Sequence, residues 1–150
     1  WTNCTSYDAC KVKMTTEGIY TFTATGADTN GNTYQDTVAI TVLSRTEIDA
    51  LLQAKWSGMK TKLASQDAES AVGYFISTSQ ERYREIFTAL GSRLPQIVQN
   101  MQDIQFIYIK NKAAKYRIRK NEIYGGQTLT VTYYIYLAVD KDGIWKIDLF

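Results

Sequence analysis

The stretch from Thr128 to Phe150 limits what this chain can fold into more than any other part of the sequence. Residues 128–139 alternate between two sets: Leu129, Val131, Tyr133, Ile135, Leu137 and Val139 form one, and Thr128, Thr130, Thr132, Tyr134, Tyr136 and Ala138 form the other. Because neighbouring side chains of a strand point to opposite faces, the pattern predicts a strand with one apolar face. Asp142-Gly143 predicts a turn, and Trp145, Ile147 and Leu149 share one face of the following strand. Such a hairpin needs a cover, so helices are expected on its apolar face.

Helical spacing of apolar residues recurs in four segments of residues 45–101, which predicts four helices. Ser44 with Glu47, and Thr78 with Glu81, fit the capping box that begins a helix. Pro95 falls in the first turn of the fourth helix, where proline is tolerated. The apolar stripe of that helix is predicted to contain Leu94, Ile97, Val98 and Met101.

Four strands close the chain, beginning with segments at 104–110 and 113–122 and ending with the hairpin of 128–150. Helices followed by antiparallel strands predict an α+β fold, with the helices packed on one face of a four-stranded antiparallel sheet. Residues 44–150 are therefore assigned to one α+β domain.

Residues 1–43 have an all-β pattern instead. A strand is predicted over Lys11–Thr15, and Ile19–Ala24 pairs across a turn at 27–32 with Thr33–Leu43, where Val38, Ile40 and Val42 share a face. Asp28, Asn30 and Asn32 match the start of a calcium loop, but the later positions of that motif hold Thr33 and Ala39, which favours a plain turn. No metal site is predicted.

Two family resemblances follow from these patterns. Gly-x-Tyr-x-Phe-x-Ala, Asp-x-Asn-Gly-Asn and Asp-Thr-Val-Ala-Ile-Thr-Val, all within 18–42, resemble the last two strands of bacterial immunoglobulin-like repeats of the polycystic-kidney-disease kind. A complete sandwich needs about seven strands, so residues 1–43 are interpreted as its C-terminal part. That segment is expected to pack on the second domain or on a second copy of itself.

The second resemblance covers residues 46–150. Ala54-Lys55-Trp56, the run from Gln66 to Phe75, Ser79–Tyr83 and Asp142–Ile147 resemble the nuclear-transport-factor-2-like (cystatin-like) superfamily, closest to its bacterial secreted members of unassigned function. This resemblance implies a curved sheet around helices, often with an apolar pocket inside. Some members are isomerases or dehydratases, many bind ligands or partners, and many dimerise through the sheet.

The amino-acid composition limits the functions that are open to this chain. The net charge of +2 argues against a protein built mainly to bind nucleic acid, and no apolar run predicts a membrane span. The sequence has no histidine, which removes the commonest general base and metal ligand.

Cys4 and Cys10 are interpreted as a disulfide in an oxidising compartment, with two free thiols as the alternative. The chain is expected to be a piece of a longer, extracellular or cell-surface bacterial protein whose targeting segment lies upstream or was removed.

Candidate binding residues form two groups, and for each a purely structural interpretation stays open. Pocket candidates, which alternatively fill the core, are Trp56, Tyr74, Phe87, Tyr116, Tyr133 and Trp145. Partner candidates, which alternatively form an ordinary solvated face, are Tyr134, Tyr136, Lys115, Arg117 and Arg119. The cations suit a protein or an anionic surface polymer, and the tyrosine face suits a homodimer.

No pair of acids is placed for catalysis, so no catalytic residue and no cofactor are predicted. The predicted function is a non-enzymatic binding or spacer module presented at the end of immunoglobulin-like repeats. The alternatives are a binder of small apolar ligands and, behind it, an isomerase- or dehydratase-type enzyme.

Overall fold

The computed structural model describes residues 12–150, together with the backbone of 4–6 and 9–10. The chain divides into two compact units, Trp1–Ile48 (unit 1) and Asp49–Phe150 (unit 2). Its architecture is mixed α+β, as the sequence predicts. Among the described residues no helix is both long and apolar enough to cross a lipid bilayer.

Unit 1 contains two antiparallel hairpins. Strands β1 (Cys4–Ser6) and β2 (Ala9–Cys10) pair with each other, and β3 (Gly18–Ala27) pairs with β4 (Thr33–Val42) over its full length. The carboxylate of Asp28 accepts hydrogen bonds from the backbone N–H groups of Asn30 and Asn32, both 2.9 Å long. Segment 28–32 is therefore a hairpin turn closed by its own aspartate, as predicted.

The strand predicted over Lys11–Thr15 is wrong for the described residues 12–15, which form no strand. The hydroxyl of Tyr20 instead donates to the carbonyl oxygen of Thr16, at 2.9 Å, and the two side-chain hydroxyls lie 2.6 Å apart. These local hydrogen bonds stabilise a bend in the chain just before β3. Residues 12–15 pair with no neighbouring strand, so an extended conformation would give their backbone groups no hydrogen bonds.

The helices begin with α1 (Arg45–Ala64), followed by α2 (Ala68–Val72) and α3 (Gln80–Leu90). A short 3₁₀ turn, Gly91–Arg93, leads into α4 (Leu94–Gln99). The capping box of α1 is confirmed: Ser44 N–H donates to Glu47 at 2.8 Å, and Glu47 N–H donates to Ser44 Oγ at 3.2 Å. The apolar stripe predicted for this helix consists of Ile48, Leu51, Leu52, Trp56, Met59 and Leu63. Its last four residues are buried, whereas the first two are half-buried.

The capping box predicted for α3 is wrong. Ser79 is the N-cap, and its side chain makes no capping bond because its hydroxyl donates to Asp148 at 3.3 Å. The helix therefore begins one residue later than the Thr78–Glu81 box predicts, and the hydroxyl at its N-cap takes part in a tertiary contact instead.

Four antiparallel strands form the sheet of unit 2, in the order β5-β6-β7-β8. They are β5 (Gln105–Lys110), β6 (Ala113–Tyr124), β7 (Gln127–Val139) and β8 (Trp145–Leu149). One face is buried at Ala114, Tyr116, Ile135, Leu137 and Ile147, which we call the inner sheet face. The segment after α2 extends the β8 edge, because Ile76 N–H donates to the carbonyl oxygen of Ile147, and Ile147 N–H to that of Tyr74.

Leu149 departs from the prediction that it shares a face with Trp145 and Ile147 in the core. The pairing register shifts between Tyr136 and Leu137, so that Leu149 pairs with Tyr136, and 39% of Leu149 is exposed. An irregularity of this kind re-aims the side chains that follow it.

Candidate functional site

A cavity of about 450 Å³ lies in unit 2 between the inner sheet face and the segment that connects α4 to β5. Its lining is mostly apolar, with a few polar groups. The lining residues are Trp56, Ile97, Asn100, Met101, Gln102, Ile118, Lys120, Glu122, Tyr133, Ile135 and Phe150.

Trp56 and Ile135 line the buried part of this cavity, with 1% and 0% of their surface exposed. The helical spacing of α1 turns Trp56 inward, and the two-residue period of β7 does the same for Ile135. The indole Nε1 of Trp56 donates a 3.0 Å hydrogen bond to the carbonyl oxygen of Gln102. That bond holds the connecting segment in place as one wall of the cavity, while Phe150 packs edge-on against the indole with 5.1 Å between ring centroids.

Residues with exposed side chains lie at the opening of the cavity. Tyr133 is 48% exposed and Ile97 is 36% exposed. Lys120 Nζ contacts Glu122 Oε1 at 2.9 Å, and this hydrogen-bonded carboxylate raises the pKa of Lys120. The opening therefore combines apolar surface with one ion pair.

Only two of the predicted pocket residues, Trp56 and Tyr133, line this cavity. Phe87 and Tyr116 are fully packed core residues, and Trp145 is half-buried where β8 pairs with Val139. Tyr74 lines a separate, shallow depression that contains Lys55, Lys62 and Lys146.

Sequence reasoning missed the contributions of Ile97, Met101 and Phe150. The first two were assigned to the apolar stripe of α4, but only Leu94 of that stripe is buried as core. Because α4 ends at Gln99, Met101 belongs to the connecting segment instead of the helix. No sequence signal separates these residues from core residues, because the helical spacing of apolar side chains is the same for both.

The other face of the sheet, which we call the outer sheet face, carries the predicted partner residues. The register pairs Lys115 with Tyr108 and Tyr136, and Arg117 with Gln105 and Tyr134. Directly paired residues share a face, so these side chains lie together on the side opposite the core.

Lys115 occupies the centre of this face. Its ammonium nitrogen lies 3.9 Å from the ring centroid of Tyr134 and 5.2 Å from that of Tyr136. The hydrogen bond with Tyr136 raises the pKa of Lys115. The lysine therefore stays charged and is held by cation–π contacts.

The cations of β6 are divided between the two faces of the sheet. Lys115, Arg117 and Arg119 lie on the outer sheet face, whereas Lys120 is directed toward the cavity and pairs with Glu122. One strand, β6, therefore supplies side chains to both candidate sites.

Two further predictions concern metals and the disulfide. In the part of the chain that the structure describes, no group of three or more metal-binding side chains comes together. The backbones of Cys4 and Cys10 are partners in the β1–β2 register, but their side chains, and hence the predicted disulfide, lie outside the described residues.

No protein-family model matches this chain, and no curated protein or solved structure matches it either. Function is therefore proposed from the geometry of the cavity and of the outer sheet face.

Proposed function

We propose that unit 2 binds a small, mainly apolar molecule in its cavity and does not transform it. The observation that carries this proposal is the cavity itself, about 450 Å³ in volume and walled largely by apolar side chains. Ligand pockets of proteins have volumes of roughly 300–1,000 Å³ and are lined mainly by apolar and aromatic groups, with a few polar ones.

Partial exposure of the lining favours a binding site over a packing defect. Ile97 and Tyr133 leave apolar surface in contact with water at the opening, and an apolar ligand would remove that surface from water. The polar group deepest in the site, the Trp56 N–H, already has its partner in Gln102. The buried part of the cavity therefore does not require a polar ligand to satisfy this N–H group.

Binding without chemistry is supported by the state of the one lining carboxylate. Glu122 lies at the opening, in an ion pair with Lys120, and 28% of its side chain is exposed. A general base must be free to accept a proton from the ligand, whereas the Glu122 carboxylate already pairs with Lys120.

The test is a fluorescence titration with N-phenyl-1-naphthylamine, a neutral apolar probe that fluoresces when it leaves water. We expect saturable binding to the wild-type protein and at least tenfold weaker binding to Met101→Trp, which places a large side chain in the cavity wall. Ile144→Trp is the matched control, since Ile144 is an exposed residue that does not line the cavity.

Equal binding by wild type and Met101→Trp, with both folded by circular dichroism, would remove the cavity from the proposal. Absence of saturable binding to the wild type would remove the proposal itself. Retained binding by Ile144→Trp shows that an added indole does not disturb the probe by itself.

We also propose that residues 44–150 are a cystatin-like domain and that residues 1–43 are the C-terminal part of an immunoglobulin-like sandwich. The order of helices followed by four antiparallel strands, and the cavity on the inner sheet face, support the first assignment. The in-register β3–β4 hairpin supports the second. An experimental structure that includes residues 1–43 tests both, and a β3–β4 hairpin joined to no further strand would overturn the second.

On this basis we propose a secreted or cell-surface bacterial module that presents unit 2 to its surroundings. Labelling of intact cells with a membrane-impermeant biotin reagent tests the location. Labelling only after cell lysis would exclude it.

A further inference from the structure

We propose that the outer sheet face of unit 2 binds an acidic polysaccharide, that is, a sugar polymer bearing carboxylates or sulfates. This site is separate from the cavity, since the cavity lies on the inner sheet face. Its residues lie on β5, β6 and β7.

Charge is the first observation. Lys115, Arg117 and Arg119 occupy alternate positions of β6, so successive cations are about 7 Å apart along the strand. Among the described residues of β5, β6 and β7 the one acid is Glu122, and it faces the cavity. The outer sheet face is therefore a row of positive charge without a compensating carboxylate on those three strands.

The tyrosines beside this row are the second observation. Tyr134 and Tyr108 are 47% and 45% exposed, and Lys115 lies above the Tyr134 ring. The rings hold the ammonium group above the sheet, so less side-chain freedom is lost when an anion binds. Exposed tyrosine rings also offer flat amphipathic surface and hydroxyl groups beside the charges.

Sugar acids fit this combination better than other anionic partners do. Arginine forks match the geometry of carboxylate and sulfate groups. Nucleic acids bound by sheets need open aromatic faces on which bases stack, whereas Lys115 covers the face of Tyr134. Lysine is depleted in the core of protein–protein interfaces, whereas Lys115 occupies the centre of this face.

A second copy of the chain fits this face poorly for the same reason. In a two-fold dimer the same patch meets itself, so Lys115, Arg117 and Arg119 of one copy would face the same row of cations on the other. Like charges placed opposite each other at an interface are costly.

The experiment measures binding of polygalacturonate, with neutral dextran as the uncharged comparison. We expect saturable binding of polygalacturonate that weakens at least tenfold between 50 and 500 mM NaCl, since added salt screens exposed charges. Arg117→Gln/Arg119→Gln is expected to weaken binding at least tenfold. Arg93→Gln/Lys141→Gln is the matched control, because it removes the same charge from two exposed residues outside the sheet, and it is expected to retain binding.

The proposal is overturned if polygalacturonate does not bind, if its binding does not depend on salt, if the control variant loses binding equally, or if dextran binds more tightly. Tighter binding of a single-stranded oligonucleotide or of polyglutamate would also overturn it and assign the face to that class of partner. Binding of N-phenyl-1-naphthylamine by Arg117→Gln/Arg119→Gln, unchanged from wild type, would show that the cavity is intact and that the loss belongs to the outer sheet face.

Discussion

The phenolic hydroxyl of Tyr116 donates a 2.6 Å hydrogen bond to Oδ1 of Asp49, which joins the centre of β6 to the first turns of α1. Tyr116 is fully buried, and both burial and the bond to Asp49 raise its pKa. The same strand lines the cavity through Ile118, two residues further on. This contact therefore fixes the strand on which both candidate sites depend.

Removing that hydroxyl tests the contact. Tyr116→Phe leaves Asp49 without its partner, and we expect a loss of about 1–2 kcal/mol in the free energy of unfolding, measured in urea. Tyr108→Phe removes a hydroxyl from a half-exposed ring and is expected to change stability by less than about 0.5 kcal/mol. Equal stability of the two variants would contradict a structural role for the bond.

Alkaline pH gives an independent check of Tyr116. Its pKa in the folded protein is raised above the ordinary value of 10.0, so above pH 10 the folded state holds a proton that the unfolded state has lost. The stabilisation that protonated Tyr116 provides should therefore be complete below pH 10, and the free energy of unfolding should fall as the pH rises above 10. Urea midpoints at pH 8 and pH 11 measure this, and the decline should be smaller in Tyr116→Phe.

Acid pH tests a different contact, between β8 and the segment that follows α2. Lys146, Ser77 and the N–H groups around Asp140 lower the pKa of that carboxyl well below its usual range, and its side chain is 8% exposed. The ionised Asp140 carboxylate therefore adds to the free energy of unfolding at pH values above 3.8, its ordinary pKa. This stabilisation is lost as the pH falls through the lower pKa of the folded protein.

Asp140→Asn should therefore lower the urea midpoint at pH 7 and give a shallower loss of stability on acidification. Asp142→Asn is the control, because Asp142 bonds the same lysine but its side chain is 41% exposed. A larger fall in the urea midpoint for Asp142→Asn than for Asp140→Asn would contradict the assignment of this acid-sensitive stabilisation to Asp140.

Gly58, in the middle of α1, should resist replacement by alanine. A β-carbon built there would lie 2.6 Å from the hydroxyl oxygen of Tyr74. Alanine normally stabilises a helix interior by about 1 kcal/mol relative to glycine, but we expect Gly58→Ala to destabilise the protein by about 1–3 kcal/mol through overpacking. In a Tyr74→Leu background the same change should become neutral or stabilising, and a double-mutant cycle in urea measures the coupling.

Tyr83 links the stability of the core to the cavity. Its hydroxyl donates to the carbonyl oxygen of Phe150 at 3.1 Å and accepts from the Phe150 N–H at 2.9 Å. Tyr83→Phe removes both bonds, so we expect a loss of about 1–2 kcal/mol and several-fold weaker binding of N-phenyl-1-naphthylamine, since Phe150 lines the cavity. Ligand binding equal to wild type would show that Phe150 keeps its place without Tyr83.

Local sequence patterns predicted most of the regular structure. The alternation of residues 128–139 gave the inner and outer faces of β7, and the α1 stripe gave Leu52, Trp56, Met59 and Leu63 as core. Ser44 and Glu47 gave the start of α1, because a capping box needs only residues three apart.

The failures depend on partners that are distant in sequence. The cap of α3 was assigned to Thr78, but the N-cap is Ser79, and its hydroxyl donates to Asp148, 69 residues away. Leu149 changed face because of a register shift in the pairing of β7 with β8, and no local pattern specifies such a shift. The cavity was missed at Ile97 and Met101 because an apolar residue that lines a space and one that fills it have the same sequence signal.

The alternation of β6 has a consequence for how this protein can change. Even-numbered positions such as Ile118 and Lys120 border the cavity, and odd-numbered positions such as Arg117 and Arg119 face outward. Substitutions at one parity can alter one surface while the other keeps its chemistry. A single residue inserted or deleted within β6 itself, before Arg117, would shift the register and turn the residues on one side of the change to the opposite face. The two proposed binding sites can therefore change independently by substitution, whereas a change in the length of β6 would alter both.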